Sequence, residues 1–145
     1  MNTTPATANQ TIFPGMRYVD AASAIDWLEK AFGFKRQVVY PGPDGTIAHA
    51  QLIFNGSMIM LGSYKDDVFG YKPPREVGGV TQAVYLYVAD IDAHFARAKA
   101  AGAEVVVALK DTDYGSREYS ARDPEGHLWH FGTYLPEMAA QPEPT

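Results

Sequence analysis

Apolar and polar positions recur with two different periods along this chain, and the two periods follow each other in a repeated order. In DAASAIDWLEKAFGF the apolar residues Ile25, Leu28 and Phe32 have helical spacing, and Gly33 follows them as a stop signal. Segments such as TIAHAQLIF and SMIMLGSY carry the two-residue period of half-buried strands, and NG between them is typical of a hairpin turn. The first half of the chain is therefore predicted to run strand, helix and three strands.

The same order returns in the second half of the chain. TQAVYLYV is predicted as a strand, DIDAHFARAKAAG as a helix that stops at Gly102, and AEVVVAL, REYSARD and HLWHFGTY as three further strands. An offset of 70 residues aligns the halves, bringing Asp20 to Asp90 and Gly56 to Gly126. Because helix stops and hairpin turns agree together, the pattern indicates two copies of one supersecondary unit. The alternative is a generic α+β domain whose element order repeats by coincidence.

These elements predict the domain boundaries. At 145 residues the chain fits one domain with a real core, which is expected to cover residues 11–135. Its predicted parts are module 11–64, linker 65–80 and module 81–135. Residues 1–10 and 136–145 are polar and without periodicity, so they are expected to be flexible tails.

Composition argues against several classes of partner. A net charge of −5 gives no electrostatic support for binding nucleic acid or an anionic membrane. The longest apolar runs, such as MIML, are far too short to span a bilayer, and the first ten residues do not have the pattern of a secretory signal. The absence of cysteine excludes disulfides, thiolate metal sites and cysteine nucleophiles. A cytoplasmic protein without membrane or nucleic-acid partners is the resulting expectation.

The segment Asp123 to Trp129, DPEGHLW, adds a motif to this order of elements. A pair of βαβββ units closed by this motif resembles the vicinal oxygen chelate superfamily, which includes glyoxalase I, extradiol dioxygenases, fosfomycin-inactivating transferases and bleomycin-resistance proteins. The resemblance spans residues 11–135. It implies an α+β fold in which two βαβββ modules form curled sheets around a cavity. It also implies a homodimer, because many members of the superfamily dimerise and complete their cavities across subunits.

Strand alternation separates the residues expected to face the helices from those expected to face such a cavity. The helix-facing set comprises Met16, Tyr18, Ala50, Leu52, Phe54, Ile59, Leu61, Val84, Leu86, Val88, Tyr119, Ala121, Trp129 and Phe131. The predicted ligand-binding set comprises Phe13, Arg17, His49, Gln51, Met58, Met60, Tyr85, Tyr87, Glu118, Arg122 and His130. Apolar walls with a few directed polar groups are typical of a small-molecule site, and tyrosines stack on flat ligands.

The resemblance also implies where a metal would bind. Superfamily members with a metal usually place one ligand early in the first strand of each unit and another in its last strand. By register these positions are Phe13, Met60, Ala83 and His130. Phe and Ala have no donor atom and a Met thioether is a soft ligand, so only His130 fits, even if His49 adds a second nitrogen. No metal and no other cofactor is therefore expected.

The leading hypothesis is a metal-free binding protein of the glyoxalase/bleomycin-resistance type that holds an aromatic or amphipathic small molecule. The rival is a lyase or isomerase in which His130, His49 or Glu118 acts as acid or base, with or without a weakly held metal. A structural module with a vestigial cavity is a third alternative. No P-loop, dinucleotide fingerprint, nucleophile elbow or HExxH motif occurs in the sequence.

Four further residues carry specific expectations. His94 is predicted to be a solvated residue on the surface of the second helix, and His127 to belong to an outer set near the final turn. Arg17 should either pair with Glu118 or bind an anionic ligand, because a buried guanidinium without a partner is costly. Asp123 is assigned to turn formation only.

Overall fold

A computed structural model describes residues 10–137 of the chain; the two predicted tails lie almost wholly outside this range. The fold is α+β, as predicted, and contains two four-stranded mixed sheets. The first half provides β1 (Gly15–Tyr18), α1 (Ala21–Phe32), β2 (Lys35–Pro41), β3 (Ile47–Phe54) and β4 (Ser57–Ser63). The second half provides a short helix α2 (Pro74–Val77), then β5 (Val84–Tyr87), α3 (Ile91–Ala100), β6 (Glu104–Asp111), β7 (Arg117–Arg122) and β8 (Leu128–Gly132).

The two sheets have the same topology. Sheet 1 has the strand order β1-β4-β3-β2 and sheet 2 the order β5-β8-β7-β6. In each sheet the first and last strands of the module pair in parallel, with Gly15 opposite Met60 in sheet 1 and Tyr85 opposite His130 in sheet 2. These pairs lie 70 residues apart, so the repeat read from the sequence is present in the backbone register itself.

The two long helices begin and end as their sequences predict. Asp20 and Asp90 are the N-caps of α1 and α3, and their carboxylates accept the backbone N–H of the residue three positions later. Gly33 ends α1 with a φ of 85°, a left-handed conformation that suits glycine. Within residues 10–137, no helix has the length and apolar character that crossing a membrane requires.

Both sheets turn one face toward a single shared core. Trp129, Phe131, Leu52 and Ala121 are completely buried there, and the predicted helix-facing residues are either buried in this cluster or packed against it. The helices α1 and α3 contact each other, and the Trp27 indole Nε1 donates to the Ala101 carbonyl over 2.9 Å. Since each strand has two faces, the alternate residues of both sheets point away from the core, and we call these surfaces the outer faces.

His94 is not the surface residue that its sequence context predicts, because the face of α3 that carries it packs against α1 and β7. Its Nε2 lies 2.8 Å from the Phe32 carbonyl and its Nδ1 lies 2.6 Å from the Tyr119 hydroxyl. A carbonyl only accepts, so Nε2 carries the proton and Nδ1 accepts from Tyr119. Burial lowers the pKa of His94 from its usual 6.5, with a further lowering by the charge of Arg97. A neutral His94 therefore joins the two modules.

Asp123 does more than form the final turn. Its buried carboxylate accepts the Tyr18 hydroxyl at 2.7 Å and the Trp129 indole N–H at 3.1 Å, which ties the turn before β8 to β1. Burial, and then the Asp123 charge, raise the pKa of Tyr18 well above its usual value. His127 is half-buried rather than outermost: its ring packs on Tyr18, and its Nε2 donates to the Arg17 carbonyl at 3.0 Å.

Candidate functional site

The outer faces divide the predicted ligand-binding residues into two groups. Six come from the first module and five from the second, and Met58 of the first group shares a pocket with residues of the second. Tyr85, Glu118 and His130 share a pocket of about 540 Å³ on sheet 2. A pocket of about 350 Å³ brings Met58 of β4 beside Tyr85 and Tyr87 of β5. Arg17 lines a third pocket, together with residues of the linker.

The outer face of sheet 2 carries an aromatic and polar cluster. Tyr85 and Tyr87 alternate with the buried Leu86, so both project from β5 to the outer side. Tyr85 is paired with His130 in the sheet, and His130 is paired with Ser120 on its other side. The Ser120 hydroxyl lies 2.6 Å from His130 Nδ1. We call this surface, defined by Tyr85, Tyr87, Glu118, Ser120 and His130, the tyrosine face.

Glu118 lies at one edge of the tyrosine face. Its carboxylate accepts the Tyr114 hydroxyl at 2.7 Å, and the Tyr85 hydroxyl donates to the Tyr134 carbonyl at 2.6 Å. Gly132 makes this crowding possible, because a Cβ there would come within 2.7 Å of both Glu118 Cγ and Tyr85 Oη. Partial burial, and then the charge of Glu118, raise the pKa of Tyr85. Tyr85 is therefore a hydrogen-bond donor and not a base at neutral pH.

The outer face of sheet 1 is built from amides, imidazole and thioethers. His49 Nε2 donates to the Gln51 side-chain oxygen at 2.9 Å, and the Gln51 amide donates to Gln37 at 2.8 Å. The His49 ring also stacks on Tyr40. Met58 and Met60 extend along β4 on the same side. The flexible methionine side chains can adapt to different shapes, and hydrogen bonds connect the polar side chains in a row. This face lacks the cluster of tyrosines and a carboxylate that sheet 2 carries.

The remaining predicted residues lie at the margins. Phe13 precedes β1 and is more than one-third exposed. Arg122 is half-buried near the end of β7, where its Nε lies 3.5 Å from the Glu104 carboxylate. Arg17 does not pair with Glu118: both of its terminal nitrogens lie 3.3 Å from one oxygen of Asp67, and the Tyr71 ring covers the guanidinium at 4.6 Å. The linker thus supplies the partner that the sequence pattern could not identify.

A metal of the superfamily type does not fit the residues present. Among residues 10–137, no three His, Asp or Glu side chains converge on a point where one ion could bind. The positions that face each other across the parallel strand pairs are Gly15 with Met60 and Tyr85 with His130. Of these, His130 alone is an ordinary ligand for a borderline divalent ion, and its Nδ1 lies against Ser120.

Apart from the core residues Tyr119 and Phe131, the predicted ligand-binding set left out four residues of the sheet 2 pocket: Tyr114, Ser120, Tyr134 and Pro136. Alternation places Ser120 on the outer face between Glu118 and Arg122, so the signal for it was present in the strand. Tyr114 lies in the loop before β7 and Tyr134 follows β8. Neither segment has a periodic pattern of apolar residues, and only the folded chain brings Tyr114 and Tyr134 to the tyrosine face.

Comparisons with known proteins agree with this architecture. The protein-family model described as Glyoxalase/Bleomycin resistance protein/Dioxygenase superfamily matches residues 10–131. The uncharacterized protein Mb0911c of Mycobacterium bovis is 43% identical over 121 residues, which cover 82% of this chain and 80% of the relative.

Two solved structures extend the comparison. TioX of Micromonospora sp. ML1 is 35% identical, with a TM-score of 0.69 over 90% of this chain and 100% of TioX. TnmS3, an antibiotic binding protein of Streptomyces sp. CB03234, is 19% identical, with a TM-score of 0.62 over 88% of this chain and 97% of TnmS3. The likeness to TnmS3 concerns the fold alone. The family match and the identities of the first two relatives show that this chain belongs to the glyoxalase/bleomycin resistance protein/dioxygenase superfamily.

Proposed function

We propose that this protein binds a small molecule with a flat aromatic or amphipathic body on the tyrosine face, without a metal. The observation that carries the proposal is the arrangement of Tyr85 and Tyr87 beside the Ser120–His130 pair. Tyrosine rings provide large, rigid surfaces for stacking, and a few hydrogen-bonding groups beside them orient a ligand. Met58 borders the same region, and its flexible thioether adapts to irregular shapes.

One comparison and one contact within the chain support binding as the function. TnmS3 has this fold and is described as an antibiotic binding protein, which makes a toxic natural product a reasonable ligand class for this chain. One side-chain contact also favours binding, because a carboxylate oxygen of Glu118 already accepts the Tyr114 hydroxyl. A general base needs an acceptor atom directed at the substrate, and this contact reduces that capacity in Glu118.

The rival function is a lyase or isomerase that uses His130 as acid or base, and the short Ser120–His130 contact is the observation in its favour. In that case Ser120 would orient the imidazole so that Nε2 faces the substrate. The two functions differ in the fate of the ligand. A bound compound recovered chemically unchanged, at full stoichiometry after long incubation, supports binding; a converted compound whose formation stops in His130→Ala supports the enzyme.

We also propose a homodimer. Both outer faces are only half-buried in one chain, and a second copy could cover them and complete a cavity around the ligand. Light scattering at micromolar concentration should then give twice the mass of the chain, whereas the mass of one chain across that range would contradict the dimer. The cytoplasmic location inferred from the sequence remains a prediction.

Binding to the tyrosine face can be tested with a matched pair of neutral compounds. 2-Naphthol is flat and carries one hydroxyl, and decahydro-2-naphthol keeps the hydroxyl but lacks the aromatic rings. We expect 2-naphthol to bind more tightly in calorimetry and to raise the unfolding temperature more. Equal binding of the two compounds would contradict stacking. Binding of neither compound, nor of any flat natural product in a thermal-shift screen, would favour a structural module without a ligand.

A further inference from the structure

The pocket that Arg17 lines lies away from the tyrosine face, between β1, the residues that lead into β5, and the linker. We call it the linker pocket. Its volume is about 370 Å³, which is enough for a small organic molecule. Its apolar wall is formed by Val77, Val80, Val84 and Leu128. None of the tyrosine-face residues lines this pocket.

The charges that line the linker pocket have one sign. Arg17 and Lys72 are positively charged, and the half-buried His127 lies beside them. Among the described residues, no Asp or Glu is part of the lining. This is notable in a chain with a net charge of −5, because acidic side chains outnumber basic ones on the molecule as a whole. Each of the two cations has an acidic partner just outside the lining, Asp67 for Arg17 and Glu76 for Lys72, so an anion that enters the pocket competes with these carboxylates.

The guanidinium of Arg17 uses only part of its hydrogen-bonding capacity in its contact with Asp67. Its side chain is 20% exposed, and both terminal nitrogens approach a single oxygen of Asp67 at 3.3 Å. The other Asp67 oxygen accepts the Phe69 backbone N–H. A free carboxylate or phosphate can offer two oxygens to the two nitrogens at about 2.7–2.9 Å, which is the stronger, forked arrangement. Such a ligand group can therefore compete with Asp67.

The linker segment that holds Arg17 is well suited to exchange partners. Tyr71 covers the guanidinium by a cation–π contact, which an incoming anion does not have to break. Next to Asp67, Val68 is 93% and Phe69 73% exposed, so little apolar contact fixes this part of the linker. Lys72 has a loose ion pair, with its Nζ 3.9 Å from Glu76, and is also available.

We propose that the linker pocket binds a small organic anion, whose carboxylate or phosphate group replaces Asp67 on Arg17 while its apolar body contacts the valines and Leu128. Lys72 binds the same anionic group from the linker side. Since the pocket shares no residue with the tyrosine face, this site does not depend on the proposed function, and either can fail without the other.

The ligand class can be tested with three small probes and the full chain. Benzoate carries a carboxylate, phenyl phosphate a phosphoryl group, and benzamide is the neutral isostere of benzoate. We expect at least one anion to bind at least about tenfold more tightly than benzamide, as hydrogen bonds between charged groups predict. That affinity should fall as salt is raised. The tighter anion identifies the acid group, and equal binding of all three probes, or of none, overturns the proposal.

Variants test the exchange at Arg17. Arg17→Gln should lose about tenfold or more in affinity for the tighter anion. Asp67→Asn keeps the size of the side chain and an oxygen for the Phe69 N–H but removes the competing charge, so it should bind that anion several-fold more tightly. Arg36→Gln is the matched control: it also removes one positive charge, but from a surface pair with Asp26 and Glu29, and should bind like wild type.

The outcome for Asp67→Asn decides the proposal even if Arg17→Gln does not fold. Unchanged or weaker anion binding in Asp67→Asn would overturn it, because a merely structural ion pair predicts that result. Wild-type affinity in a folded Arg17→Gln would overturn it as well. Binding of 2-naphthol should be the same in wild type and Asp67→Asn, which keeps the linker pocket distinguishable from the tyrosine face.

Discussion

The two modules share one backbone register but present different outer faces. The core side of both sheets is excluded from solvent. Leu52 and Ala50 in sheet 1 and Trp129 and Ala121 in sheet 2 are all completely buried. On the other side, sheet 1 carries thioethers and a row of amide and imidazole groups, whereas sheet 2 carries the tyrosine face. The shared core constrains one side of each sheet, and the outer sides are free to differ. The difference is the reason for placing the proposed binding site on sheet 2.

The largest expected effect separates the two sides of sheet 2. Trp129→Ala removes a completely buried ring that contacts Phe32 and Phe34 and donates to Asp123, so the free energy of unfolding should fall by about 3–5 kcal/mol. Tyr87→Ala, on the outer side, should cost clearly less. Urea unfolding of both variants measures the difference, and equal losses would mean that the outer side is part of the core.

The second effect concerns ligand binding and sharpens the contrast between the sheets. Tyr87→Ala should weaken 2-naphthol binding by about 1–3 kcal/mol if the ring is an anchor. Tyr85→Phe keeps its ring and loses only the hydrogen bond to the Tyr134 carbonyl, so it should bind 2-naphthol nearly as well as wild type. On sheet 1, His49→Ala should matter less than Tyr87→Ala in the same calorimetric titration. A larger loss for His49→Ala would reverse the assignment of the faces.

The smallest effect is a pH dependence at the junction of the two modules. The pKa of His94 is lowered by burial in the folded protein, while the unfolded chain titrates near the usual 6.5. Below that pH the unfolded state binds a proton that the folded state does not. The contribution of His94 to the free energy of unfolding should therefore be fully present well above pH 6.5 and should fall as the pH drops toward the lowered pKa. Urea unfolding at about pH 7.5 and about pH 5.5 should show this fall, and His94→Gln should reduce it. An unchanged pH dependence in His94→Gln would contradict the role of His94.

The sequence predicted the fold well because the signals that specify it are local and periodic. The helix caps at Asp20 and Asp90, the stop at Gly33 and the alternation of the strands all lie within a few residues of the structure they determine. The repeat added the long-range information, since one module's pairing predicts that of the other. The face assignments of Tyr18, Leu52 and Trp129 are confirmed for the same reason.

The site was less predictable because its contacts join segments far apart in the chain. Asp67 and Tyr71 reach Arg17 from a linker without periodicity, and Tyr134 reaches Tyr85 from the segment after β8. His94 is polar on a helix of low average hydrophobicity, so the sequence favoured exposure; only the packing of α3 on α1 buries it. The ligand-binding roles of the eleven predicted residues remain predictions.

The central claim is that a flat ligand binds the tyrosine face, and one titration tests it most directly. Adding 2-naphthol to ¹⁵N-labelled protein reports on every backbone amide in a single series of spectra. We predict that the largest shift changes occur at Tyr85, Tyr87, Ser120 and His130, with smaller changes at Met58. Changes confined to His49 and its neighbours on sheet 1, or to the linker pocket, would contradict the account.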